Sequence, residues 1–564
     1  MPNRVAVSLA GLVTFMSLVA ACRADDPAQG DPDAGRVFYR TGLTSDGNPV
    51  PVTSQGDVQS YSDRFPCVGC HRPSGFGSSE GGKYVPIITS DELFRERTAD
   101  RARRNRRFLD LFKARQTPEF DADVRMPRMR PAYTPETLAR AIRVGVDAAD
   151  RRLSQTMPRY ELDAKGMANL VAYLKTLSST PSPGVDKDTL HIATVVDDRV
   201  PGQKRDAMLD TMRAFVKWYN HDIRGQMFHK GFSPYYRSEF RDSFRQLALQ
   251  VWELKGSPDS WPDQLRDYYE DQPVFVELGG LVSGPWKPVD AFCEAKRLPC
   301  LFPNTNLPNL ENPHYGYSIY FTRGLTLEGE VIARYLGHRD AVPKSVRQIC
   351  VDQPAGEVPA RAFAAAARTE LPGTQVTTTV VSSTSALSAS IAAADGDVLI
   401  VWPGDQADAG IEALNANPPK AERIFLPSTA LDAARASLSK SRLEQVRLSF
   451  PYEKPDAYHP RQYRVRAWFG SRGVRLSYPR MQLQTYYALT QLQYGLDDII
   501  NDFFRDFLVE SIEHEAEANL NPGIFPKMAL GPGQRFVSKG AYVIALDPTD
   551  TGAGYHAVSD WIVP

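Results

Sequence analysis

The residues with the clearest chemical potential form the pentapeptide Cys67-Val68-Gly69-Cys70-His71. Two thiols at this spacing reach the two vinyl groups of one porphyrin, and the imidazole that follows then lies under the iron. A structural zinc site would need four ligands, usually with a second Cys or His pair, and a redox-active dithiol has no need of His71. The spacing therefore predicts one covalent haem c, attached through Cys67 and Cys70, with His71 as an axial ligand of the iron.

The other axial ligand is predicted to be a methionine, because no further histidine occurs between Gln59 and Leu190. Coordination by Met and His favours electron transfer at a raised potential. Met167 begins an apolar stripe at helical spacing, which is typical of a side chain that packs in a core. Met126 and Met157 are both followed by Pro and Arg, so the local sequence leaves the choice between these two open.

The segment Arg130–Leu177 resembles the second half of a class I cytochrome c. Thr134 as an N-cap opens a short helix, with a proline at its first position, and Gly145 closes it. A loop and a C-terminal helix follow. In that family the ligand methionine lies in the loop just before the last helix, so the resemblance implies Met157 as the axial ligand, with Met126 as second choice.

The same resemblance extends upstream of the haem motif. A first helix would hold Gly35, Phe38 and Tyr39, which matches the small-and-aromatic contact that the family makes with its last helix. The chain departs from the family in Leu43–Pro66, an insertion between this helix and the motif. The resemblance implies an all-α cytochrome c domain over residues 22–177.

The size and charge of the chain limit the remaining possibilities. A length of 564 residues exceeds what one hydrophobic core supports, so two or three domains are expected. The formal net charge of -1 gives no indication of nucleic-acid binding. A basic tract runs from Arg95 to Arg115; it is either a solvated helix face or a surface that docks an acidic redox partner protein.

The first 21 residues predict an export signal. Arg4 supplies a positive charge and Val5–Ala21 is uncharged. Val19-Ala20-Ala21-Cys22 resembles the bacterial lipobox, in which the cysteine becomes the lipidated N-terminus; ordinary cleavage and a permanent membrane span are the alternatives. We therefore expect a periplasmic protein that is attached to the membrane through lipid on Cys22.

The rest of the chain is predicted to form a larger domain. A Ser/Pro/Gly-rich run marks residues 178–187 as a linker. Over residues 188–564 apolar strands alternate with helical stretches, which favours an α/β fold of doubly wound parallel sheets in two lobes. The predicted strands are His191–Val196, Val274–Leu278, Leu301–Pro303, Ser345–Val351, Val398–Trp402, Ile424–Leu426 and Val446–Phe450.

This order of elements is similar to that of the type I periplasmic-binding proteins, the branched-chain amino-acid receptor group. The matches are a Gly/Ser loop after a strand at Gly279–Gly284, the segment Tyr317–Gly324 where that family crosses between lobes, and the strand Val398–Trp402. Asp197–Gly202 departs from the family by replacing its short Gly/Ser/Thr loop. The resemblance implies a small-molecule ligand, of unknown identity, in a cleft between two lobes.

The candidate ligand residues follow from strand ends. Ligands of open α/β sheets bind beyond the carboxyl ends of the strands, and a cleft between lobes is a usual pocket. Each candidate has an equally simple interpretation as a turn or packing residue. The candidates are Ser283, Gly284, Trp286, Ser383, Thr384 and Trp402.

Export also sets the expected state of the remaining cysteines, because exported thiols meet an oxidising environment. Cys293 and Cys300 are seven residues apart at a helix end and a turn, where a disulfide is sterically reasonable. Two free buried cysteines are the alternative. Cys350 lies in an apolar strand and is predicted to be a small core residue.

Three functions are compatible with these features. The first is an electron carrier with a fused small-molecule-binding domain, serving a periplasmic dehydrogenase or a respiratory chain. The second is a ligand-responsive sensor or receptor in which lobe closure alters the haem domain. The third is a haem enzyme such as a peroxidase, which needs an open iron position and usually a distal acid-base group. Because the haem domain has no spare histidine, the sequence favours an electron-transfer and binding protein over a catalyst.

Overall fold

The structure is a computed structural model in which the chain divides into two compact units, Met1–Ser179 and Thr180–Pro564. The predicted signal segment, Cys22, Met126 and most of the basic tract lie outside the described residues. In the described part, no helix is both long enough and apolar enough to cross a membrane. The described residues are 30–80, 83–97, 129–228, 244–311, 315–338, 342–417, 419–454, 460–515, 521, 523–547 and 554–564.

The first unit contains helices joined by short strands and loops. Its helices are α1 (Pro32–Thr41), α2 (Val68–His71), α3 (Ser90–Phe94), α4 (Pro135–Val144) and α5 (Ala164–Thr176). Its strands are β1 (Pro51–Ser54), β2 (Val58–Tyr61), β3 (Ser78–Glu80), β4 (Lys83–Val85) and β5 (Arg159–Tyr160).

Helices α1 and α5 pack together through the residues expected from the sequence. A Cβ atom at Gly35 would collide with the carbonyl of Asn169, so only glycine permits this approach. The rings of Tyr39 and Tyr173 lie 5.3 Å apart at the same contact. The first and last helices of the unit therefore form the small-and-aromatic contact that was predicted.

Helix α4 also begins and ends as predicted. The Thr134 hydroxyl accepts from the backbone N–H of Thr137, Pro135 occupies the first turn, and Gly145 ends the helix with φ +75°. Met167 on α5 is buried in the core, as its helical spacing indicated. The sequence was enough to predict both ends of α4, because each capping group finds its hydrogen-bond partner within a few residues of the chain.

The expectation of an all-α first unit is wrong. Strands β1 and β2 form an antiparallel hairpin within Leu43–Pro66, and β1 also pairs with β5. The insertion that separates the first helix from the Cys67–His71 motif therefore supplies two strands of a three-stranded sheet of order β2-β1-β5. Strands β3 and β4 form a second, smaller antiparallel pair.

The first lobe of the second unit is a parallel five-stranded sheet with helices on its faces. Its strand order is β10-β9-β8-β6-β7, which is the doubly wound order 2-1-3-4-5. The elements are β6 (Thr189–Asp197), α6 (Gly202–Phe228), β7 (Gln246–Leu254), α7 (Trp261–Asp271), β8 (Val276–Leu278), α8 (Lys287–Lys296), β9 (Cys300–Leu301) and β10 (Ser318–Ile319).

The second lobe repeats this order and adds two antiparallel strands. Its sheet runs β12-β11-β13-β14-β15-β16-β17. The expected two-lobed α/β architecture with parallel sheets is thereby confirmed. The elements are α9 (Gly324–Gly337), β11 (Ser345–Val351), α10 (Pro354–Glu370), β12 (Gln375–Val381), α11 (Thr384–Ala392), β13 (Val398–Trp402), α12 (Ala407–Ala416), β14 (Arg423–Leu426), α13 (Leu431–Ser437), α14 (Lys440–Leu443), β15 (Val446–Phe450), β16 (Tyr542–Leu546) and β17 (Tyr555–Ala557).

Three helices return from the second lobe to the first. They are α15 (Pro460–Ser471), α16 (Pro479–Ile499) and α17 (Arg505–Glu515). Their buried side chains, such as Tyr487 and Ile512, share one hydrophobic core with Phe215 and Leu278 of the first lobe. The crossing back to the second lobe is held by backbone hydrogen bonds between Tyr320 and the segment 535–537.

The predicted linker over residues 178–187 is anchored to the second unit in its later half. The backbone N–H of Ser182 donates to the carbonyl of Phe503 at 3.0 Å. The buried Arg505 guanidinium donates to the carbonyl of Pro183 at 3.2 Å and to that of Phe275 at 3.1 Å. The chain is therefore part of the second unit before its first strand begins.

The remaining cysteines lie in the second unit. Cys293 on α8 and Cys300 on β9 form a disulfide with their Cα atoms 6.2 Å apart. Cys350 is buried in the core of the second lobe. The disulfide joins a helix to the strand that follows it, next to the central strand β8 of the first lobe.

Candidate functional site

The haem motif lies at the short helix α2. Val68 and His71 are buried, Cys67 is half-buried and Cys70 is exposed. This helical turn and the residue before it therefore carry the two thiols and the imidazole within five residues. The Tyr39 hydroxyl donates to the carbonyl of Arg72 at 2.7 Å, which ties this turn to α1.

The ring of His71 is held in one orientation by a hydrogen bond to the backbone. Its Nδ1 lies 3.1 Å from the carbonyl oxygen of Pro86. A carbonyl only accepts hydrogen bonds, so Nδ1 carries the proton and Nε2 carries the lone pair. Ligand histidines characteristically donate their second ring N–H to such a group, which fixes ring and tautomer. Burial lowers the pKa of His71 to about 4, so the ring is neutral and able to coordinate near neutral pH.

The environment of the first thiol disfavours its thiolate form. Reactive cysteines of that kind have a lowered pKa. Burial instead raises the pKa of the Cys67 thiol to about 12, although a hydrogen bond with Tyr160 acts in the opposite direction. Within the described ranges, no group of three or more His, Cys, Asp and Glu side chains is arranged to hold a metal ion by itself.

The loop that carries Met157 reaches the motif through Tyr160. The Tyr160 hydroxyl donates to the carbonyl of Phe65 at 2.6 Å, two residues before Cys67. The ring of Tyr160 also packs edge-on against Phe38, with 5.8 Å between centroids. Met157 itself is half-buried, three residues before this anchor.

These observations fit a haem c. Cys67 and Cys70 would hold the porphyrin, His71 would bind iron through Nε2, and Met157 belongs to the loop that is tied to the same motif. A haem bound here would supply a one-electron Fe(III)/Fe(II) couple. The chain itself supplies the fixed tautomer of His71 and the anchored loop.

The second candidate region lies at the carboxyl ends of the parallel strands in the second unit. In doubly wound sheets, ligands bind where the strand order reverses. In the first lobe this switch point lies between β6 and β8, and in the second lobe between β11 and β13. The loops that follow these four strands are therefore the natural walls of a ligand cleft.

Asp197 organises the switch point of the first lobe. Its buried carboxylate accepts from the backbone N–H groups of Arg199 at 3.0 Å, Val200 at 3.1 Å and Ser283 at 2.8 Å. The Arg199 guanidinium in turn donates to the carbonyl of Ser283 at 2.6 Å. Two loops that are 86 residues apart in the chain are thus locked together.

The two lobes face each other at Lys204 and Asp405. Lys204 lies in the first turn of α6 in the first lobe, and Asp405 follows β13 in the second. Burial lowers the pKa of Lys204, while the carboxylate of Asp405 acts to raise it. In the second lobe, the amide oxygens of Gln353 and Gln406 are buried at the switch point and have no hydrogen-bond partner among the described residues.

The structure separates the predicted ligand residues into three groups. Ser283 and Gly284 lie at the switch point of the first lobe, and a Cβ atom at Gly284 would meet open space. Trp286 and Trp402 are fully buried core side chains, and the Trp402 indole donates to Gln348 at 2.8 Å. Ser383 and Thr384 are exposed at the start of α11, after β12, which is an edge strand.

Several cleft residues were not identified from the sequence. Asp197 and Arg199 belong to a charged loop that was noticed only as a departure from a family pattern. Lys204 and Asp405 come together from different lobes, and Gln353 and Gln406 have no local signature. The sequence did offer one signal for these residues, because each of them follows a predicted strand. Residues at strand ends are expected to line a cleft in this kind of sheet.

The comparisons with known proteins concern the fold. No protein-family model and no curated protein sequence matches the chain. Among solved structures, the chain is similar to a branched-chain amino acid ABC transporter protein from Thermus thermophilus with bound valine, at 11% identity and a TM-score of 0.50, covering 67% of this chain and 97% of that one. A solute-binding protein from Rhodopseudomonas palustris BisB5 in complex with 3,4-dihydroxybenzoic acid matches at 13% identity and a TM-score of 0.49, covering 67% and 98%.

The Thermus thermophilus match establishes a fold class. It covers about two thirds of this chain, the share that the second unit represents. The second unit therefore has a type I periplasmic-binding-protein-like fold.

Proposed function

We propose that the chain is an exported electron-transfer cytochrome c with a fused small-molecule-binding unit, attached to the membrane through lipid on Cys22. The observation that carries the proposal is the buried His71, whose Nδ1–H is fixed on Pro86 directly after two correctly spaced thiols. This arrangement is what a covalently held haem iron requires. A periplasmic dehydrogenase or a respiratory chain would be the redox partner.

Each residue of the first unit has a defined part in this proposal. Cys67 and Cys70 form the thioether links, and His71 and Met157 are the axial ligands. A filled coordination sphere of this kind favours electron transfer over catalysis, because no iron position is left for a substrate. Burial around His71 and Val68 excludes water from the proximal side.

The second unit is proposed to bind a small molecule in its cleft. The support is the pair of facing switch points, with the Asp197–Ser283 lock on one side and buried amide oxygens of Gln353 and Gln406 on the other. The related solved structures hold valine or 3,4-dihydroxybenzoic acid, as their descriptions state. These residues support a ligand site at the two switch points.

The test uses the full chain expressed with a haem-maturation system. We expect a coloured protein whose haem survives denaturing electrophoresis, and a double variant Cys67→Ser, Cys70→Ser that is colourless. The control is Cys350→Ser, which alters a buried thiol outside the motif and should keep the colour. A colourless wild-type protein would contradict the proposal.

A further inference from the structure

The inserted segment of the first unit is joined to the Met157 loop. Strand β1 pairs antiparallel with β5, so that Val52 lies opposite Tyr160 and Thr53 lies opposite Arg159. The insertion that departs from the cytochrome pattern therefore contacts the strand that begins two residues after Met157.

Two more backbone hydrogen bonds join the hairpin to both ends of this loop. The N–H of Gln55 donates to the carbonyl of Gln155 at 3.0 Å, before Met157. The N–H of Glu161 donates to the carbonyl of Pro51 at 3.1 Å, after it. Residues 155–161 are thus fixed on either side of the methionine.

Arg159 fixes the loop from within. Its guanidinium donates to the carbonyls of Leu153 at 3.4 Å and Ser154 at 3.1 Å, and also to the carbonyl of Met157. The group occupies the space next to Gly145, where a Cβ atom would collide with it. One planar cation therefore holds three carbonyls of the loop, a task that its fork of donors suits.

We propose that the hairpin β1–β2 and Arg159 together hold the loop 155–161 in place and thereby position Met157; these two elements are called the brace. The role of the insertion is then to supply the hairpin of this brace. The inference rests on the proposed function, because it concerns Met157 as the axial ligand. Ordering a loop costs conformational entropy for every residue that is fixed. A loop fixed in advance presents its methionine without that cost and resists replacement by an external ligand.

The test uses the full-length, haem-loaded protein and imidazole as the competing ligand. In Arg159→Met the three carbonyl contacts are lost, and we expect a weaker methionine charge-transfer band near the red end of the visible spectrum. We also expect imidazole to bind about tenfold more tightly, the effect of losing about 1.4 kcal/mol of loop restraint. Met157→Ala gives the reference spectrum without the ligand.

Arg143→Met is the matched control. Arg143 also donates to carbonyls, those of Leu162 at 2.8 Å and Asp163 at 3.0 Å, but these precede α5 and lie outside the loop. The control should keep the wild-type band and imidazole affinity. A general loss of stability would move both variants, whereas loss of the brace moves only Arg159→Met.

The outcomes separate the brace from the proposed ligand. If the wild-type protein carries haem but lacks the methionine band, the assignment of Met157 is wrong. If the band is present and Arg159→Met retains both band and affinity, the brace is wrong. Should Arg159→Met yield no haem-loaded protein, Arg159→Lys decides: its ammonium group keeps the charge but lacks the planar fork that spans carbonyls on both sides of Met157, so an unchanged band and affinity overturn the inference and a shift supports it.

Discussion

The two units of this protein hold their chemistry in different ways. In the first unit, five consecutive residues define the haem motif, and the fold around them is a set of short helices and strands. In the second unit, the fold is regular and repeated in two lobes, while the cleft residues come from loops far apart in the chain. A contiguous motif predicts which chemistry a site can perform, whereas a regular fold predicts only where a site lies.

This difference also sets how each unit tolerates change. The first unit depends on caps and contacts close to the motif, such as Pro86 on His71. The second unit depends on long-range hydrogen bonds from a few buried polar side chains, of which Arg505 and Asp197 are the clearest. The following predictions test whether the two units respond separately.

The largest effect is expected from Arg505→Ala. The Arg505 guanidinium donates to several carbonyls and to the Tyr269 hydroxyl at 2.9 Å, and the residue is 6% exposed. Its removal leaves those carbonyls without a partner, so the second unit should lose about 3 kcal/mol or more of unfolding free energy. Calorimetry should show the transition of the second unit at lower temperature, with the haem spectrum unchanged.

Arg213→Ala serves as the control for this variant. Arg213 is an exposed arginine of the same unit, so its replacement should change the unfolding free energy by less than about 0.5 kcal/mol. If Arg505→Ala shifted the haem unit by the same amount as the second unit, the separation of the two would be wrong.

A smaller effect, dependent on pH, is expected from Glu277→Gln. Glu277 is fully buried on β8, and burial raises its pKa well above the usual value for a glutamate, against a weaker effect of the Val195 backbone. A raised folded-state pKa gives stability that is present below the unfolded pKa of 4.5 and is lost as pH rises. The wild-type unit should lose up to about 1.4 kcal/mol per pH unit above that value.

The variant removes this dependence because an amide does not titrate. Thermal unfolding of the second unit between acid and neutral pH should show that the advantage of Glu277→Gln over the wild type grows as pH rises. Glu253→Gln, at an exposed position on β7, the edge strand of the same sheet, should leave the pH profile unchanged. Parallel profiles for wild type and Glu277→Gln would show that this carboxyl does not titrate with a shifted pKa.

The smallest effect is expected from Asp197→Asn. An asparagine keeps one acceptor oxygen and turns an NH₂ group towards a backbone donor. Part of the hydrogen bonding of Asp197 is therefore lost, and the unfolding free energy should fall by about 1–2 kcal/mol. Hydrogen exchange at the Ser283 amide should become faster. In Asp198→Asn, which alters the next carboxylate and a longer contact of 3.3 Å to Gly256, the exchange at Ser283 should stay slow.

Much of the fold could be predicted from the sequence, for physical reasons that differ by strand. The strands β11, β13 and β15 have the predicted bounds, because central parallel strands are buried on both faces and appear as continuous apolar runs. The edge strands β7 and β12 were missed. The outer face of β12 is mostly exposed, so its Thr-rich sequence lacks that signal.

The candidate sites were predictable to different degrees. The motif Cys67–His71 is contiguous, and its spacing alone was enough to predict a haem, which stays a prediction. The Asp197–Ser283 lock joins residues 86 positions apart, which no local pattern reveals. Trp402 lies at the end of a switch-point strand as predicted, yet its ring turns into the core because Gln348 offers a buried acceptor for the indole N–H.

The anchoring of the linker has a practical consequence for dividing the protein. The Ser179 side chain still donates to the carbonyl of Thr176 at the end of α5, and the backbone N–H of Ser182 already donates to the carbonyl of Phe503, two residues before α17. A protease site introduced between Ser179 and Ser182 would therefore leave these hydrogen bonds of each unit intact, whereas a cut after Pro183 would remove one acceptor of Arg505 from the second unit. Only two residues lie between Ser179 and Ser182 in the sequence.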